Sequence, residues 1–366
     1  MSLPNDEALP SIPGQQLYGS DAYAIRLRAT DLTGTAKARF PGAQPVSLSR
    51  TIALKQLMEE DFMVCEKSDG IRVLVLMVDG GKTFMLTRKH EVFYVPGVAF
   101  PVPVQATPQA FHDGTLIDAE LVLDTEADGR RVRRLLAFDA LVVAHANCMQ
   151  RSLEKRLGYL NDHVMRPFIA MCAQMPEAAR AALPFQAEMK RFERSYAVPH
   201  LYETLMPALK HKSDGLIFTS VSAPYTPGTC HTIYKWKPNS ENSVDFKVKL
   251  ELMDDGTKSI QLLAGKGAGC YTYFSNLLIL PGEWDRHFAH IADLDGRIIE
   301  VVHDPAYEEP FSWRFLRFRD DKDNPNYYTV VSSVVESIKD NIELDELKAS
   351  TVEMRTQWKR RHNESL

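Results

Sequence analysis

Two copies of one tetrapeptide, Lys-Ser-Asp-Gly, are the residues of this chain whose types and spacing point most directly to chemistry. They occupy positions 67–70 and 212–215. A lysine two residues before Asp-Gly places a primary amine at the edge of a turn. Such an amine can attack a phosphorus atom if desolvation or nearby cations lower its pKa, and a covalent lysyl intermediate results. Average composition gives about 0.1 such K-x-D-G motifs in a chain of this length, so two copies are unusual.

The residues that come after each copy distinguish the two. An isolated copy is more often a surface β-turn than a nucleophile, so the tetrapeptide alone does not decide. Ile71-Arg72 continues the first copy and brings a guanidinium close to Lys67 in sequence. Leu216-Ile217-Phe218 continues the second copy and is typical of a buried strand. Lys67 is therefore the candidate nucleophile.

Composition and charge exclude several other classes of protein. Lys and Arg number 43 against 48 Asp and Glu, so any nucleic acid must bind to a local basic surface. Five cysteines form no C-x-x-C pair, and their odd number favours a reducing compartment over a disulfide framework. The first fifteen residues are polar and show no secretory signal, and the longest aliphatic run, 73–78, is too short to span a bilayer.

Apolar and β-branched segments must position these residues. In the first two thirds of the chain, alternation and turn residues predict strands at 62–67, 71–78, 83–87, 115–123, 132–143, 215–220 and 232–236. Apolar residues at helical spacing predict a helix over 152–165, and a second helix is expected over 199–210.

The last third of the chain has a different pattern. The polar, Pro-containing stretch 237–243 is the best candidate for an interdomain hinge. Short strands predicted at 244–252, 259–263, 271–280, 297–302 and 313–318 indicate a small barrel such as an OB-fold. Residues 265–269 lack the G-K-[ST] of a phosphate loop and are interpreted as a flexible loop. Residues 328–362 are predicted to be helical.

Six segments, in order along the chain, resemble the motifs of the covalent nucleotidyltransferases. That family includes messenger-RNA guanylyltransferases and ATP-dependent polynucleotide ligases. The segments are Lys67–Arg72, Leu116–Leu121, Ala137–Leu141, Ser213–Phe218, Tyr234–Pro238 with Val244–Lys247, and Arg319–Lys322 with Asn326. Ala119 stands where glycine is frequent. The K-W-K-P and R-x-D-K spellings, with Phe40–Ser47, resemble capping enzymes of the monofunctional fungal type more than ligases.

The resemblance implies an α+β fold. A ligase-type, ATP-grasp-like nucleotidyltransferase domain of antiparallel sheets and helices would cover 1–240, an OB-fold lid 241–327, and C-terminal helices 328–366. The implied activity is mRNA guanylyltransferase: GMP passes from GTP through lysyl-GMP to 5′-diphosphate RNA and forms the GpppN cap. The implied partners are that RNA, an RNA 5′-triphosphatase subunit and the phosphorylated C-terminal domain of RNA polymerase II. The implied location is the nucleus, with no membrane attachment.

The resemblance also assigns roles to individual residues, with Lys67 as the nucleophile. The proposed GTP-binding residues are Arg72 and Arg88 at the ribose, Phe138 stacked on guanine, Lys190 at the guanine oxygen, Lys235 and Lys237 at the α-phosphate, Arg319 and Lys322 at the leaving pyrophosphate, Asp245 in the two-lysine motif, and Glu120 and Asp214, which would also hold Mg²⁺ or Mn²⁺.

Each segment taken alone also has an ordinary structural explanation. Phe138 is typical of a core residue and Glu120 of a solvated strand position. Lys235 and Lys237 flank Trp236 as in any half-buried strand. Two other functions stay open on the residues: an ATP-dependent RNA or DNA ligase, and a non-catalytic OB-type module that binds RNA or polymerase beside a relict transferase domain. Labelling the chain with GTP or ATP that carries a labelled α-phosphate separates these three.

Overall fold

The structure is a computed structural model that describes residues 10–35, 40–50, 53–103, 110–239, 242–252, 256, 258–267, 269–291, 293–340 and 342–362. The chain forms two compact units. The first contains Met1–Leu48, Ala53–Trp236 and Leu347–Leu366, and the second contains Ser49–Ile52 and Lys237–Glu346. No described helix combines the length and the apolar character that a membrane crossing requires.

Two sheets form the frame of the first unit. Its strands are β1 (Gln15–Leu17), β2 (Ala43–Ser47), β3 (Phe62–Ser68), β4 (Ile71–Val78), β5 (Lys82–Thr87), β6 (Val92–Val95), β7 (Thr115–Thr125), β8 (Arg131–Val143), β9 (Ala146–Asn147), β10 (Gln186–Met189), β11 (Glu193–Arg194), β12 (Ser213–Ser220) and β13 (Gly228–Trp236). An eight-stranded sheet has the order β1-β6-β5-β4-β7-β8-β10, with β9 on β8. A five-stranded sheet has the order β11-β3-β12-β13-β2. Most neighbours are antiparallel; β8 with β10 and β2 with β13 are parallel.

Strand β4 shows why the aliphatic run 73–78 folds as it does. Its side chains alternate between two buried clusters, one with Val73, Val75 and Met77 and the other with Leu74 and Leu76. Both faces of this strand are therefore covered, and a strand buried on both faces is aliphatic along its length instead of alternating with polar residues. The sheet thus forms a rigid base for the turn that precedes β4.

Helices cover these sheets. The helical segments of the first unit include α1 (Gly19–Thr33), α2 (Ala53–Glu59), α3 (Leu153–Tyr159), a π-helical turn (Leu160–Met165), α4 (Arg166–Gln174) and α5 (Glu177–Ala181). The predicted helix at 152–165 matches α3 and the π-turn. The predicted helix at 199–210 is instead a series of short turns: 3₁₀ (Ser195–Ala197), α6 (Val198–His200), π (Leu201–Leu205) and 3₁₀ (Met206–Ala208). Proline is tolerated only in the first turn of a helix, and Pro199 and Pro207 are each the second residue of a new segment.

The second unit is a closed five-stranded barrel. Its strands β14 (Ser243–Leu252), β15 (Lys258–Gly267), β16 (Cys270–Leu278), β17 (Ile298–His303) and β18 (Trp313–Phe318) close in the order β14-β15-β16-β18-β17. Phe246, Leu262 and Trp313 fill its core. The predicted barrel and the α+β class are therefore confirmed. Helices α7 (Glu283–His287) and α8 (Tyr328–Lys339) belong to this unit, and α9 (Leu344–Arg361) continues into the first unit.

The prediction of a flexible loop at 265–269 is wrong for its first three residues. Residues 265–267 complete β15, and the Gly265 amide donates to the carbonyl of Asn326 at 2.9 Å. Glycine permits a turn but does not require one, and here the segment pairs with β16 through Gly265 and Gly267. Residue 268 lies outside the described residues.

Candidate active site

Lys67 lies where the chain passes from one sheet to the other. It is near the end of β3 in the five-stranded sheet, and β4 begins in the eight-stranded sheet after Ser68-Asp69-Gly70. A Cβ atom on Gly70 would lie 2.5 Å from the backbone oxygen of Leu121 in β7. Because no side chain fits there, the turn can lie directly on β7 only if this residue is glycine.

The two Lys-Ser-Asp-Gly copies face each other across β3 and β12. Ser68 is opposite Ser213, and the Asp69 amide donates to the Lys212 carbonyl at 2.9 Å. The register shifts between Ser213 and Leu216, which is the place that Lys67 faces. There the Lys67 Nζ donates to Asp214 Oδ1 at 2.7 Å. The carboxylate of the second copy thus holds the amine of the first.

A cavity of about 450 Å³ in the first unit opens at this turn. Its lining contains the predicted residues Lys67, Arg72, Arg88, Glu120, Phe138 and Lys190. Asp214 reaches the site through its bond to Lys67. The cavity has the size expected of a small-molecule site, and charged side chains of both signs line it beside apolar ones.

Phe138 enters the cavity because β8 is irregular at this residue. Asp118 of β7 is opposite Asp139, but Ala119 is opposite Ala137, so Phe138 is an extra residue in the ladder. A β-bulge of this kind re-aims a side chain and is common beside active sites. The Arg72 guanidinium lies 5.6 Å from the centre of the Phe138 ring, and the Lys190 Nζ lies 5.9 Å from it. The ring is therefore a platform flanked by cations.

Arg72 is fixed by neighbours that the sequence did not reveal. Its Nε and Nη2 donate to the two carboxylate oxygens of the fully buried Asp118, at 2.9 and 2.5 Å. Nη1 donates to the Ala43 carbonyl, and the Tyr225 hydroxyl donates to Asp118. Burial alone would lower the pKa of Arg72, but Asp118 raises it above its ordinary value. The predicted ribose ligand is therefore held rigidly, with few N–H groups left for a substrate.

Glu120 differs from the other acidic residues of the site. No hydrogen bond or ion pair to its carboxylate is found within the described ranges. Burial raises its pKa, although Lys190, Arg72 and Lys67 act in the opposite direction. An unpaired, desolvated carboxylate beside a nucleophile is a suitable ligand for a hard cation.

The donor set fits a magnesium-like ion on a nucleotide. Among the residues that the structure describes, no group of three or more His, Cys, Asp or Glu side chains could hold a metal. Mg²⁺ does not need such a cage, since it is usually bound by one or two carboxylates together with substrate phosphates and water. Glu120 with Asp214 supplies that number of carboxylates. The residues therefore fit the predicted Mg²⁺ or Mn²⁺.

Lys190 is buried at the back of the cavity. Its Nζ donates to Ser68 Oγ at 2.8 Å and pairs with Glu66 Oε1 at 3.3 Å. Burial alone would lower the pKa of Lys190, but Cys65, Glu66 and Glu120 raise it. Lys190 is therefore charged at neutral pH and can donate hydrogen bonds only.

The remaining predicted residues lie outside this cavity's lining. Lys235 is in β13, opposite Ile217. Lys237 begins the second unit, which also contains Asp245, Arg319 and Lys322. There Asp245 accepts a hydrogen bond from Arg319 Nη1 at 3.0 Å and another from Lys322 Nζ. The structure thus brings Arg319 and Lys322 together at Asp245, whose carboxylate holds both cations.

Several residues of the site were not predicted. Asp118, Ser68 and Glu66 lie inside or beside the sequence motifs, and only their contacts single them out. Tyr225 belongs to a turn signal in the sequence at 225–228. A buried pair behind Phe138, Asp139 with Arg156, has two hydrogen bonds of 2.7 and 3.0 Å. For the acidic residues and Ser68, proximity to a motif was the available sequence signal; for Tyr225 it was the turn.

Comparison with known proteins gives the family. The model of the mRNA capping enzyme catalytic domain matches residues 9–239, and that of the mRNA capping enzyme C-terminal domain matches 241–348. Two similar relatives are the mRNA-capping enzyme subunit alpha of Neurospora crassa (35% identity, 95% of this chain and 93% of that protein) and that of Schizosaccharomyces pombe (34%, 92% and 86%).

Among solved structures, mycobacterial DNA ligase D complexed with ATP and MES matches with a TM-score of 0.39 and 14% identity, over 77% of this chain and 94% of that chain. A likeness this distant does not separate a ligase from a capping enzyme. The two domain models, which match most of the chain, are both models of capping enzymes. The chain belongs to the mRNA capping enzyme family.

Proposed function

We propose that this chain transfers GMP from GTP to the 5′-diphosphate end of RNA through a covalent intermediate on Lys67. One observation carries the proposal. The amine of Lys67 lies at the edge of a nucleotide-sized cavity, held at 2.7 Å by Asp214, in the same cavity as the Phe138 platform and Lys190.

The first half-reaction joins Lys67 to the nucleotide. The Nζ lone pair attacks the α-phosphorus of GTP, a P–N bond forms, and the P–O bond to pyrophosphate breaks. The Lys67 ammonium gives up one proton to expose its lone pair and a second as the P–N bond forms; Asp214 Oδ1 is within hydrogen-bond distance to accept one, and the other passes to the pyrophosphate or to water. In the second half-reaction a terminal phosphate oxygen of the RNA attacks the same phosphorus, the P–N bond breaks, and Lys67 takes up two protons to become an ammonium again.

Charge and position supply most of the catalysis. Phosphoryl transfer needs neutralisation of the phosphate oxygens and an in-line leaving group more than covalent chemistry by the protein. Lys235 and Lys237 would neutralise the α-phosphate, and Arg319 and Lys322 would bind the leaving pyrophosphate. When bound, Mg²⁺ or Mn²⁺ on Glu120 and Asp214 would neutralise phosphate charge as well. Arg88, at the cavity wall, would contact the ribose.

The base would be recognised by Phe138 and Lys190. An aromatic ring stacks on any base, so Phe138 would supply affinity but would not distinguish guanine from adenine. A lysine is a donor only, which suits the carbonyl oxygen of guanine and opposes the amino group of adenine. GTP is therefore the proposed nucleotide, and selectivity would lie with Lys190.

The proposed partners are supported by the chemistry and by the relatives' names. A 5′-diphosphate end arises when a triphosphatase removes the terminal phosphate of a transcript, so a triphosphatase partner is proposed. The name "subunit alpha" of the Neurospora crassa relative supports such a partner. Binding to the phosphorylated C-terminal domain of RNA polymerase II and a nuclear location are proposed with it.

The twin tetrapeptides give the test. Incubation with GTP labelled at the α-phosphate, followed by denaturing electrophoresis, should show a labelled chain for the wild type and none for Lys67→Ala. Lys212→Ala is the matched control, because it changes the same residue of the other copy, and it should keep most of the label. Label that persists in Lys67→Ala refutes the proposal, and a wild-type chain that labels with ATP in preference to GTP indicates a ligase.

A further inference from the structure

A row of buried charges extends from Lys190 of the nucleotide cavity, and the proposed reaction gives no role to its other members. Lys190, Glu66, His211 and Asp124 have side chains that are at most 6% exposed, and Arg134 is next in the row with 14%. His211 Nδ1 lies 2.8 Å from Asp124 Oδ1, and Arg134 Nε lies 2.5 Å from Asp124 Oδ2. His211 Nε2 lies 3.9 Å from Glu66 Oε1. The row therefore runs from the cavity to the outer end of β7.

The charges in this row alternate in sign at neutral pH. Burial alone would lower the pKa of His211, but Asp124 and Glu66 raise it to about 9. Burial alone would raise the pKa of Glu66, but Lys190 and then His211 lower it. His211 is thus a cation between two carboxylates. Buried charges are costly unless they are paired in this way.

Glu66 is the link between this row and the cavity. Its Oε1 accepts a hydrogen bond from Ser68 Oγ at 3.1 Å and lies 3.3 Å from Lys190 Nζ. The ammonium of Lys190 has three N–H groups. Ser68 Oγ accepts one of them, the Glu66 carboxylate forms an ion pair with the same ammonium, and Lys190 also lines the cavity, so an N–H remains available to a ligand there.

His211 acts on Glu66 without a hydrogen bond. Its Nε2 is fully buried and, within the described part of the chain, no hydrogen-bond partner is found for it. At 3.9 Å the interaction with Glu66 is electrostatic. A cation there attracts the Glu66 carboxylate, and the carboxylate in turn restrains the ammonium of Lys190 through their ion pair.

We propose that Glu66 and His211 are positioning residues for base selectivity: together with Ser68 they fix the Lys190 ammonium so that a single N–H points at the base. This inference rests on the proposed function, in which that N–H meets the guanine oxygen. A site built to hydrogen-bond one group rejects an analogue that cannot reciprocate, provided that the donor cannot move away. A lysine that is not held could turn towards Glu120 or a phosphate, and the site would then lose its preference for guanine.

The test compares GTP with ATP in adduct formation. Glu66→Gln and His211→Gln keep the size of each side chain and remove its charge. We expect KM for GTP to rise by on the order of tenfold in Glu66→Gln and severalfold in His211→Gln, because a charged hydrogen bond to the base is weakened. The KM for ATP and the kcat for both nucleotides should change little. A role in folding alone would lower activity with both nucleotides equally.

His112→Gln is the matched control. His112 is also a buried histidine of the first unit, bonded to Thr115 Oγ1 at 2.9 Å and to the His163 carbonyl at 2.8 Å, and it does not line the cavity. It should keep the wild-type ratio of GTP to ATP even if its melting temperature falls. If His211→Gln does not fold, Glu66→Gln and Asp124→Asn test the same row on either side of His211.

A double-mutant cycle decides whether the effect passes through Lys190. In a Lys190→Ala background, Glu66→Gln and His211→Gln should cause no further loss of GTP preference, since coupled residues are not additive. Additive losses, or an unchanged GTP to ATP ratio in the single variants, overturn the inference while leaving the proposed function intact. A wild-type chain that forms no adduct with GTP refutes the proposed function itself.

Discussion

Substitution of Gly70 by alanine should test whether the nucleophile turn depends on contact with β7. The new Cβ would lie 2.5 Å from the Leu121 carbonyl oxygen, 2.9 Å from Val122 Cγ1 and 3.0 Å from Glu120 Cγ. Since the Leu121 oxygen belongs to the backbone and cannot rotate away, the turn must move by about 0.5 Å, and such overpacking costs about 1–3 kcal/mol. For a unit of this size the melting temperature should fall by roughly 2–12 °C.

Gly70→Ala should also slow the formation of the covalent adduct. Lys67 and Glu120 flank the contact, so the shift misplaces the nucleophile against its substrate. A displacement of about 1 Å can cost 10²-fold, so we expect adduct formation with GTP to slow by on the order of tenfold in a single-turnover assay. Gly158→Ala is the control, because its Cβ in α3 meets nothing within 4 Å, and it should stabilise by about 0.5–1 kcal/mol. Wild-type melting and wild-type labelling in Gly70→Ala would refute the reasoning.

Three further predictions concern charged side chains. The pKa of His211 is raised from 6.5 to about 9, so the protonated imidazole stabilises the fold fully below pH 6.5, and this contribution is lost as the pH rises through 9. Urea unfolding should show the free energy of unfolding falling by about 1–2 kcal/mol over that range, and His211→Gln should lack this fall. Arg156→Met leaves the buried Asp139 carboxylate unpaired and should lower the free energy of unfolding by about 3–5 kcal/mol, measured by urea titration. Arg319→Ala or Lys322→Ala should slow adduct formation from GTP about a hundredfold, because each removes a positive charge that would stabilise the leaving pyrophosphate. Timed transfer from a preformed adduct to RNA should be little affected, because the adduct has no β- or γ-phosphate. Equal slowing of both steps would contradict that role.

Local patterns were sufficient for most of the elements. Turn residues and alternation predicted the longer strands but missed β1, β2, β6, β9, β10 and β11, and the five short strands after residue 242 predicted the barrel, since these signals act over a few residues. The family resemblance also assigned Lys67, Glu120 and Phe138, through their motifs, and Lys190 to one site, and the cavity contains all four.

Long-range pairing could not be predicted in the same way. Strands β3 and β4 were expected around a tight turn, and nothing in their spelling shows that they join different sheets. The bulge that turns Phe138 into the cavity depends on a shift in pairing between β7 and β8. The clamp on Arg72 joins residues 46 and 153 positions away, Asp118 and Tyr225. Side-chain contacts of this separation are set by packing and not by local propensity.

The two Lys-Ser-Asp-Gly copies have the same sequence, and their positions in the fold give them different roles. Both copies lie at the ends of strands that pair antiparallel, so the same four residues meet head to head and Lys67 meets the acidic residue of the other copy, Asp214. The continuations of the two copies then differ. Arg72 leads the first copy into the cavity beneath Phe138, whereas Leu216 leads the second into the core. One copy therefore supplies the amine and the other supplies the carboxylate that holds it, which a search for either motif alone would not have revealed.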